Sequence, residues 1–250
     1  MSGKYRATPD AQVTQPYSPS PAGPDAGASG RAVARLLAGA GLCVLVLLLG
    51  ALARSGPLAR LDLRADEHIA AHDRSSALTS LAKAATTIAT PETVGIGLMI
   101  VVPLILLLAR RRLDAAKVFC MFAGAFALAE VVKQVIGEHR PPVAIQAMAA
   151  DHSPSFPSGH ATTAAVLAVA LAVVAVTSAG RAVAAVLGSL YAIIVAASRV
   201  YLGDHYPADV IGGMLCALAA AFVVVGLFAL PAVQPWLRRY KLSAPGGRHR

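Results

Sequence analysis

The chain has 250 residues, 56% of them hydrophobic and only 14% charged, with a mean hydropathy of +0.63. Soluble domains carry about 45–50% apolar and about 25% charged residues, so this composition excludes an ordinary soluble protein and indicates an integral membrane one. The net charge of +9 does not point to nucleic acid, because aromatics make up 5% of the chain and no basic stripe interleaves with them to form a stacking platform.

Residues 1–30 are rich in Pro, Ser, Ala and Gly without an apolar run, which predicts a disordered tail. The first apolar segment starts too late for a conventional signal peptide. That segment, residues 32–53, is expected as a retained transmembrane helix, since about 20 apolar residues cross the hydrocarbon core. Residues 64–90 read differently. Their charges come early, and Leu78, Leu81, Ala85 and Ile88 then recur at helical spacing. This predicts an amphipathic element at the interface, with a short extra span as the alternative.

Five more spans are expected at residues 93–109, 115–136, 160–178, 182–197 and 208–230. Pro103 is tolerable inside its span because neighbouring helices can satisfy the freed carbonyl. The fold class is therefore all-α, a six-helix transmembrane bundle over residues 31–235, with an extracytoplasmic interfacial segment and a basic tail at 236–250. Cys43, Cys120 and Cys216 all lie inside apolar runs with no spacing pattern, which argues against disulfides and zinc.

Lysine and arginine in short loops set the orientation. With the N-terminus inside, the inner side carries Arg31, Arg35, Arg110, Arg111, Arg112, Lys117, Arg181 and the basic C-terminal tail. Both termini are then cytoplasmic. The outer segments are 54–91, 137–159 and 199–207, and the first offsets its basic residues with Asp62, Asp66, Glu67 and Asp73.

Three polar clusters sit at the outer ends of spans. In KQVIGEHRP, Lys133 and Arg140 are seven residues apart, about two helical turns, so both cations can face one side before Pro141 and Pro142 stop the helix. Read alone, Lys133 snorkels to headgroups. In PSGH, Ser158 is a candidate N-cap, Gly159 admits close approach and His160 lies in the first turn, where free N–H groups and the helix dipole favour an anion. In SRVYLGDHYPAD, Arg199 ends a span, and Asp209 follows His205 by four residues, one turn on. A carboxylate on one ring nitrogen leaves the other free as nucleophile or base. Each cluster alone also reads as a cap or a polar turn. Together, three cations beside free amides suit a phosphoryl group, and two histidines suit a nucleophile and a general acid.

The chain here resembles the type-2 phosphatidic acid phosphatase superfamily, the lipid phosphate phosphatases. The match runs through Lys133…Arg140-Pro141, Pro157-Ser158-Gly159-His160 and Ser198-Arg199…His205…Asp209, in order, within about residues 62–230. The resemblance implies that His205 attacks phosphorus, that Asp209 orients it and that His160 protonates the leaving oxygen and then activates water. It implies that Lys133, Arg140, Arg199, Ser158 and Gly159 hold the phosphoryl oxygens, with no metal or cofactor. It also implies a six-helix membrane fold with an extracytoplasmic site in the cytoplasmic membrane. The expected partners are a lipid phosphate substrate and membrane lipids. A polyprenyl diphosphate ranks first, and phosphatidic acid or phosphatidylglycerophosphate follows. The rival from another class is a lipid transporter, which would need ionisable residues in several spans; only Glu130 and Lys133 qualify.

Weaker signals carry less. His68 and His72 in EHIAAH have a zinc-compatible spacing, but Glu67 precedes them, unlike the protease pattern, and a solvated helix is the better reading. Asp151 and His152 read as exposed loop residues. Glu138 either orients Arg140 or faces water.

Overall fold

The computed structural model describes residues 26–242; the outer parts of both expected tails, 1–25 and 243–250, lie outside them. Among the described residues every regular element is helical. That is the arrangement by which a chain in lipid satisfies its own backbone hydrogen bonds. Five helical stretches are long and apolar enough to cross a bilayer: Gly27–Arg54, Ser76–Leu108, Arg112–Ile136, Ser178–Tyr201 and Pro207–Ala229. A sixth apolar helix, Gly159–Val174, has 16 residues and at about 1.5 Å per residue falls short of the hydrocarbon thickness.

In chain order the helices are α1 (Ala26–Arg54), α2 (Gly56–His68), α3 (Ser76–Thr87), α4 (Ile96–Leu108), α5 (Arg112–Ile136), α6 (Gly159–Val174), α7 (Ser178–Tyr201), α8 (Pro207–Ala229) and α9 (Gln234–Leu242). Helix α8 is the hub. It packs along α1, α5 and α6, and α7 packs mainly on α6 and meets α8 where Ala161, Ala196 and Val210 cluster. Small residues permit these close approaches, as between lipid-solvated helices generally. Ala161, Ala164 and Ala165 of α6 and Ala217, Ala220 and Ala221 of α8 are buried. The outward faces carry Leu37, Leu48, Ile100, Leu104, Val186, Leu187 and Ile193, all exposed. This is the arrangement expected where lipid replaces water.

The segment expected at the interface is divided differently. Its first part belongs to α2 and a π-helical turn, Ile69–Asp73. Its second part, α3, packs on α7 and continues through a π-helical turn, Pro91–Gly95, into α4 as one apolar helical stretch. Ala82, Ala85 and Thr86 bury against the bundle. The Ser80 and Thr87 hydroxyls donate to the carbonyls one turn back, Ser76 and Lys83, so polar residues are satisfied without water. On α2 the amphipathic reading is reversed: Leu61 is exposed, while Asp62 and Asp66 are buried.

Helix ends follow local chemistry. α5 stops at Ile136 because Gly137 takes a left-handed conformation, φ 59°, and its N–H donates to the Lys133 carbonyl. The stop comes before Pro141 and Pro142, so Arg140 sits on a loop rather than on the helix face expected for it. α6 ends at Val174, before the expected 178, and α7 is longer at both ends than 182–197. Residues 234–242, at the start of the expected C-terminal tail, form α9, with Leu237 buried.

Candidate active site

The three polar clusters meet at one end of the bundle. Ser158 caps α6: its hydroxyl accepts from the Ala161 N–H, and its carbonyl accepts from the Thr162 N–H at 3.0 Å. Its own N–H donates to the Asp209 carbonyl at 2.9 Å, which pins the PSGH turn to α8. The Ser158 N–H is therefore occupied. The N–H groups of Gly159 and His160, at the helix start, are left without intrahelical partners. The His160 ring is half-buried.

His205 lies in the short link between α7 and α8 and is 1% exposed. The link turns at Gly203, φ 69°, where a side chain would strike the Ile145 carbonyl. Pro207 opens α8 as its first residue, as expected from sequence. The Asp209 carboxylate turns back to accept from the Tyr206 N–H at 2.9 Å, and the same Oδ2 lies 3.1 Å from His205 Nδ1. Both residues are fully buried. Burial first, then Arg140, Arg199, Lys133 and His160, hold the His205 pKa well below its usual value. The ring is thus neutral at neutral pH. A neutral ring donates from Nδ1 to Asp209, and its Nε2 lone pair accepts from Arg140 NH1 at 3.2 Å.

The cations are positioned by backbone carbonyls and two carboxylates. Lys133 donates to the Pro154 carbonyl at 3.3 Å. Arg140 donates to the carbonyls of Ser153 and Asp204 at 3.1 and 2.9 Å, and pairs with Asp151 at 2.8 Å. Arg199, on the last turn of α7, is 5% exposed, pairs with Asp204 at 3.1 Å and keeps a buried Nε–H without a partner. The structure thus brings together every residue singled out from the motifs: Lys133, Arg140, Ser158, Gly159, His160, Arg199, His205 and Asp209. Between α4, α5 and the start of α6, a cavity of about 270 Å³ reaches Lys133 and Gly159 and is otherwise lined by Pro91, Ile96, Phe126 and Ala129 with the carboxylates of Glu92 and Glu130.

Sequence reasoning missed the layer behind His205. Ser155 is buried and donates to Asp209 Oδ2. Glu138 neither orients Arg140 nor faces water; it is buried beside Asp209, near Asp62 and Arg54. Burial, then the charges of Asp209 and Asp62, push Asp66 up to about 8, and burial pushes Asp62 up to about 6. Asp151 is an exposed loop residue, as read, and it also pairs with Arg140. Their residue types carry no motif, so only the early charges in 64–90 hinted at this layer. His68 and His72 stack on each other at the exposed end of α2, with ring centroids 4.7 Å apart. Among the described residues no three His, Cys, Asp or Glu side chains gather in a way that could hold a metal ion.

Residues 114–230 match the sequence model of the PAP2 superfamily. The chain is similar to phosphatidylglycerophosphatase B of Bacillus subtilis (strain 168), with 32% identity over 122 residues. That match covers 47% of this chain and 59% of the relative's length. Its fold is similar to the crystal structure of a transmembrane PAP2 type phosphatidylglycerolphosphate phosphatase from Bacillus subtilis. There the TM-score is 0.66, at 24% identity over 76% of this chain and 94% of that one.

Proposed function

We propose that the protein is a membrane phosphatase that hydrolyses a lipid phosphate through a phosphohistidine intermediate. The observation that carries this reading is the His205 ring, buried and neutral, with Nδ1 on Asp209 and Nε2 held by Arg140 within a cluster of three cations. His205 Nε2 attacks phosphorus as the phosphorus–oxygen bond to the lipid breaks. The leaving oxygen takes a proton from His160, which is charged once the substrate's phosphate dianion offsets the cations beside it. The same imidazole, now neutral, removes a proton from water, whose oxygen attacks phosphorus, releases inorganic phosphate and restores His205. Lys133, Arg140, the unpaired Nε–H of Arg199 and the N–H groups of Gly159 and His160 stabilise the charge that develops on the phosphoryl oxygens. Ser158 acts through its cap, since its N–H is engaged.

The cavity beside Lys133, open between helices, suits a substrate whose phosphate sits among the cations while its chains stay in lipid. The similarity to phosphatidylglycerophosphate phosphatases of Bacillus subtilis favours phosphatidylglycerophosphate, with phosphatidic acid and polyprenyl diphosphate as the other arms of the test. The basic loops favour an outer site with both termini in the cytoplasm. Purified full-length protein is assayed for phosphate release from these three lipids in detergent micelles. Release from at least one is expected, with His205→Ala reducing kcat by about 10⁴–10⁶. Release by His205→Ala within about tenfold of the unmodified chain refutes the mechanism.

A further inference from the structure

We propose that Glu138 and Ser155 are positioning residues that hold the Asp209 carboxylate by both of its oxygens and thereby fix the His205 ring for attack; this rests on the reading of His205 as nucleophile. Ser155 is fully buried. Its N–H donates to the Glu138 carbonyl at 2.8 Å, so the two residues are tied through their backbones. Its hydroxyl donates to Asp209 Oδ2 and lies 3.4 Å from His205 Nδ1. The Tyr206 N–H reaches the same oxygen. Asp209 Oδ2 is thereby saturated.

The other oxygen, Oδ1, is buried and receives no donor from an N–H or hydroxyl. Glu138 Oε2 is buried and equally unpartnered, and the two side chains adjoin closely enough to share a hydrogen bond. Two carboxyl groups in contact away from water stay together only when one of them carries a proton. The surroundings assign that proton. Burial first, then the charges of Asp209 and Asp62, raise Glu138 far above the usual carboxylate range. Arg54 opposes this, but its NH1 is directed to the Ile136 carbonyl at 2.8 Å. Asp66 on α2 and the Tyr206 ring, before α8, face the same cluster, and Arg74 lies beyond Asp66. A neutral Glu138 donates to Asp209 Oδ1, and Ser155 and Tyr206 donate to Oδ2. A carboxylate held at both ends cannot rotate, and the imidazole it orients is held with it.

The test uses the full chain in lipid nanodiscs with phosphatidic acid as probe, and kcat and KM are measured from about pH 5 to about pH 10. Ser155→Ala and Glu138→Ala are each expected to lower kcat about 10–100-fold with little change in KM. Each is expected to cost almost nothing further in an Asp209→Asn background, because both act through that carboxylate. The kcat of the unmodified chain is expected to fall on the alkaline side as Glu138 ionises against Asp209. Glu138→Gln keeps a donor of the same shape, so it lowers kcat less than Glu138→Ala and removes the alkaline fall. Effects that add fully to Asp209→Asn, or an alkaline limb unchanged in Glu138→Gln, overturn the proposal. Glu138→Gln is nearly isosteric and serves as the decisive variant if the alanine variants fail to fold. His205→Ala separates the two failures: if it stays active, the nucleophile reading falls, and if it is inactive while the Ser155 and Asp209 effects add, only the brace falls.

Discussion

Gly213→Ala tests whether the packing of α8 on α6 sets the geometry of the site. Gly213 lies on α8, one turn after Asp209, and faces the start of α6. A Cβ there would stand 2.5 Å from the Ser158 carbonyl oxygen and 3.0 Å from both the Thr162 nitrogen and Oγ1. Ordinary contact begins at 3.4 Å, so the backbone of the PSGH turn must retreat by about 0.9 Å. The Ser158 oxygen cannot turn aside, because it accepts from the Thr162 N–H at 3.0 Å and the Thr162 hydroxyl at 2.9 Å. The whole first turn of α6 therefore moves, carrying His160 and the free N–H groups away from His205. A displacement near 1 Å costs up to about 10²-fold in rate, and overpacking costs about 1–3 kcal/mol in stability. The assay is phosphate release by the solubilised protein beside its thermal melt, with Gly41→Ala, which has open space at its Cβ, as control. A kcat for Gly213→Ala within about threefold of the unmodified chain, with Gly41→Ala unchanged, refutes the argument.

Three further outcomes are expected. Arg199→Ala lowers kcat by about 10²–10³, and Arg199→Lys recovers little of it, because an ammonium cannot pair with Asp204 and also present a second N–H in the guanidinium's fork; recovery to near the unmodified rate counts against that role. Asp66 and Asp62, raised to about 8 and about 6, bind protons in the folded protein that they release when it unfolds. Their neutral forms therefore impose no pH penalty below the unfolded range near pH 4, and stability declines as pH rises from there toward pH 8. Asp66→Asn flattens that decline in a thermal-shift series, and an unaltered slope refutes the assignment. On a background without the native cysteines, an external impermeant thiol reagent labels a cysteine replacing His152 and not one replacing Arg112; the reverse inverts the topology.

The proposed catalytic face was legible because its residues fall in spaced motifs at helix ends, where side-chain placement follows from the cap and the turn. Ser158 caps α6 and Asp209 lies one turn beyond His205, as the spacing requires. What the sequence obscured depends on long-range packing. Asp62 and Asp66 look like solvated charges of an amphipathic helix until α2 folds its polar face onto the start of α8. The length of α3 was hidden for a related reason: serine and threonine hydroxyls bonded to carbonyls one turn back make a polar-looking segment compatible with lipid. The prolines suggest a helix that carries Arg140 on its face, whereas the left-handed Gly137 ends the helix three residues earlier.

On the proposed chemistry, the charges around His205 also indicate how a phosphate is admitted. Arg140 and Arg199 each hold a carboxylate, but unequally. The Asp151 side chain is 48% exposed and hydrated, so it can leave Arg140 at modest cost when a dianion arrives. The Asp204 side chain is 5% exposed, and removing it from Arg199 would strand a buried charge. Arg199 therefore keeps Asp204 and offers the Nε–H that has no partner, while Arg140 exchanges one anion for another. The exchange frees the guanidinium beside His205 Nε2 for the incoming phosphoryl oxygens, at the nitrogen that must attack. Asp151→Asn should accordingly weaken the hold on Arg140 and lower KM more than it raises kcat, whereas Asp204→Asn should lower kcat by disordering Arg199. Equal effects of the two substitutions on KM and kcat would show that the carboxylates play one role, and the exchange would then be refuted.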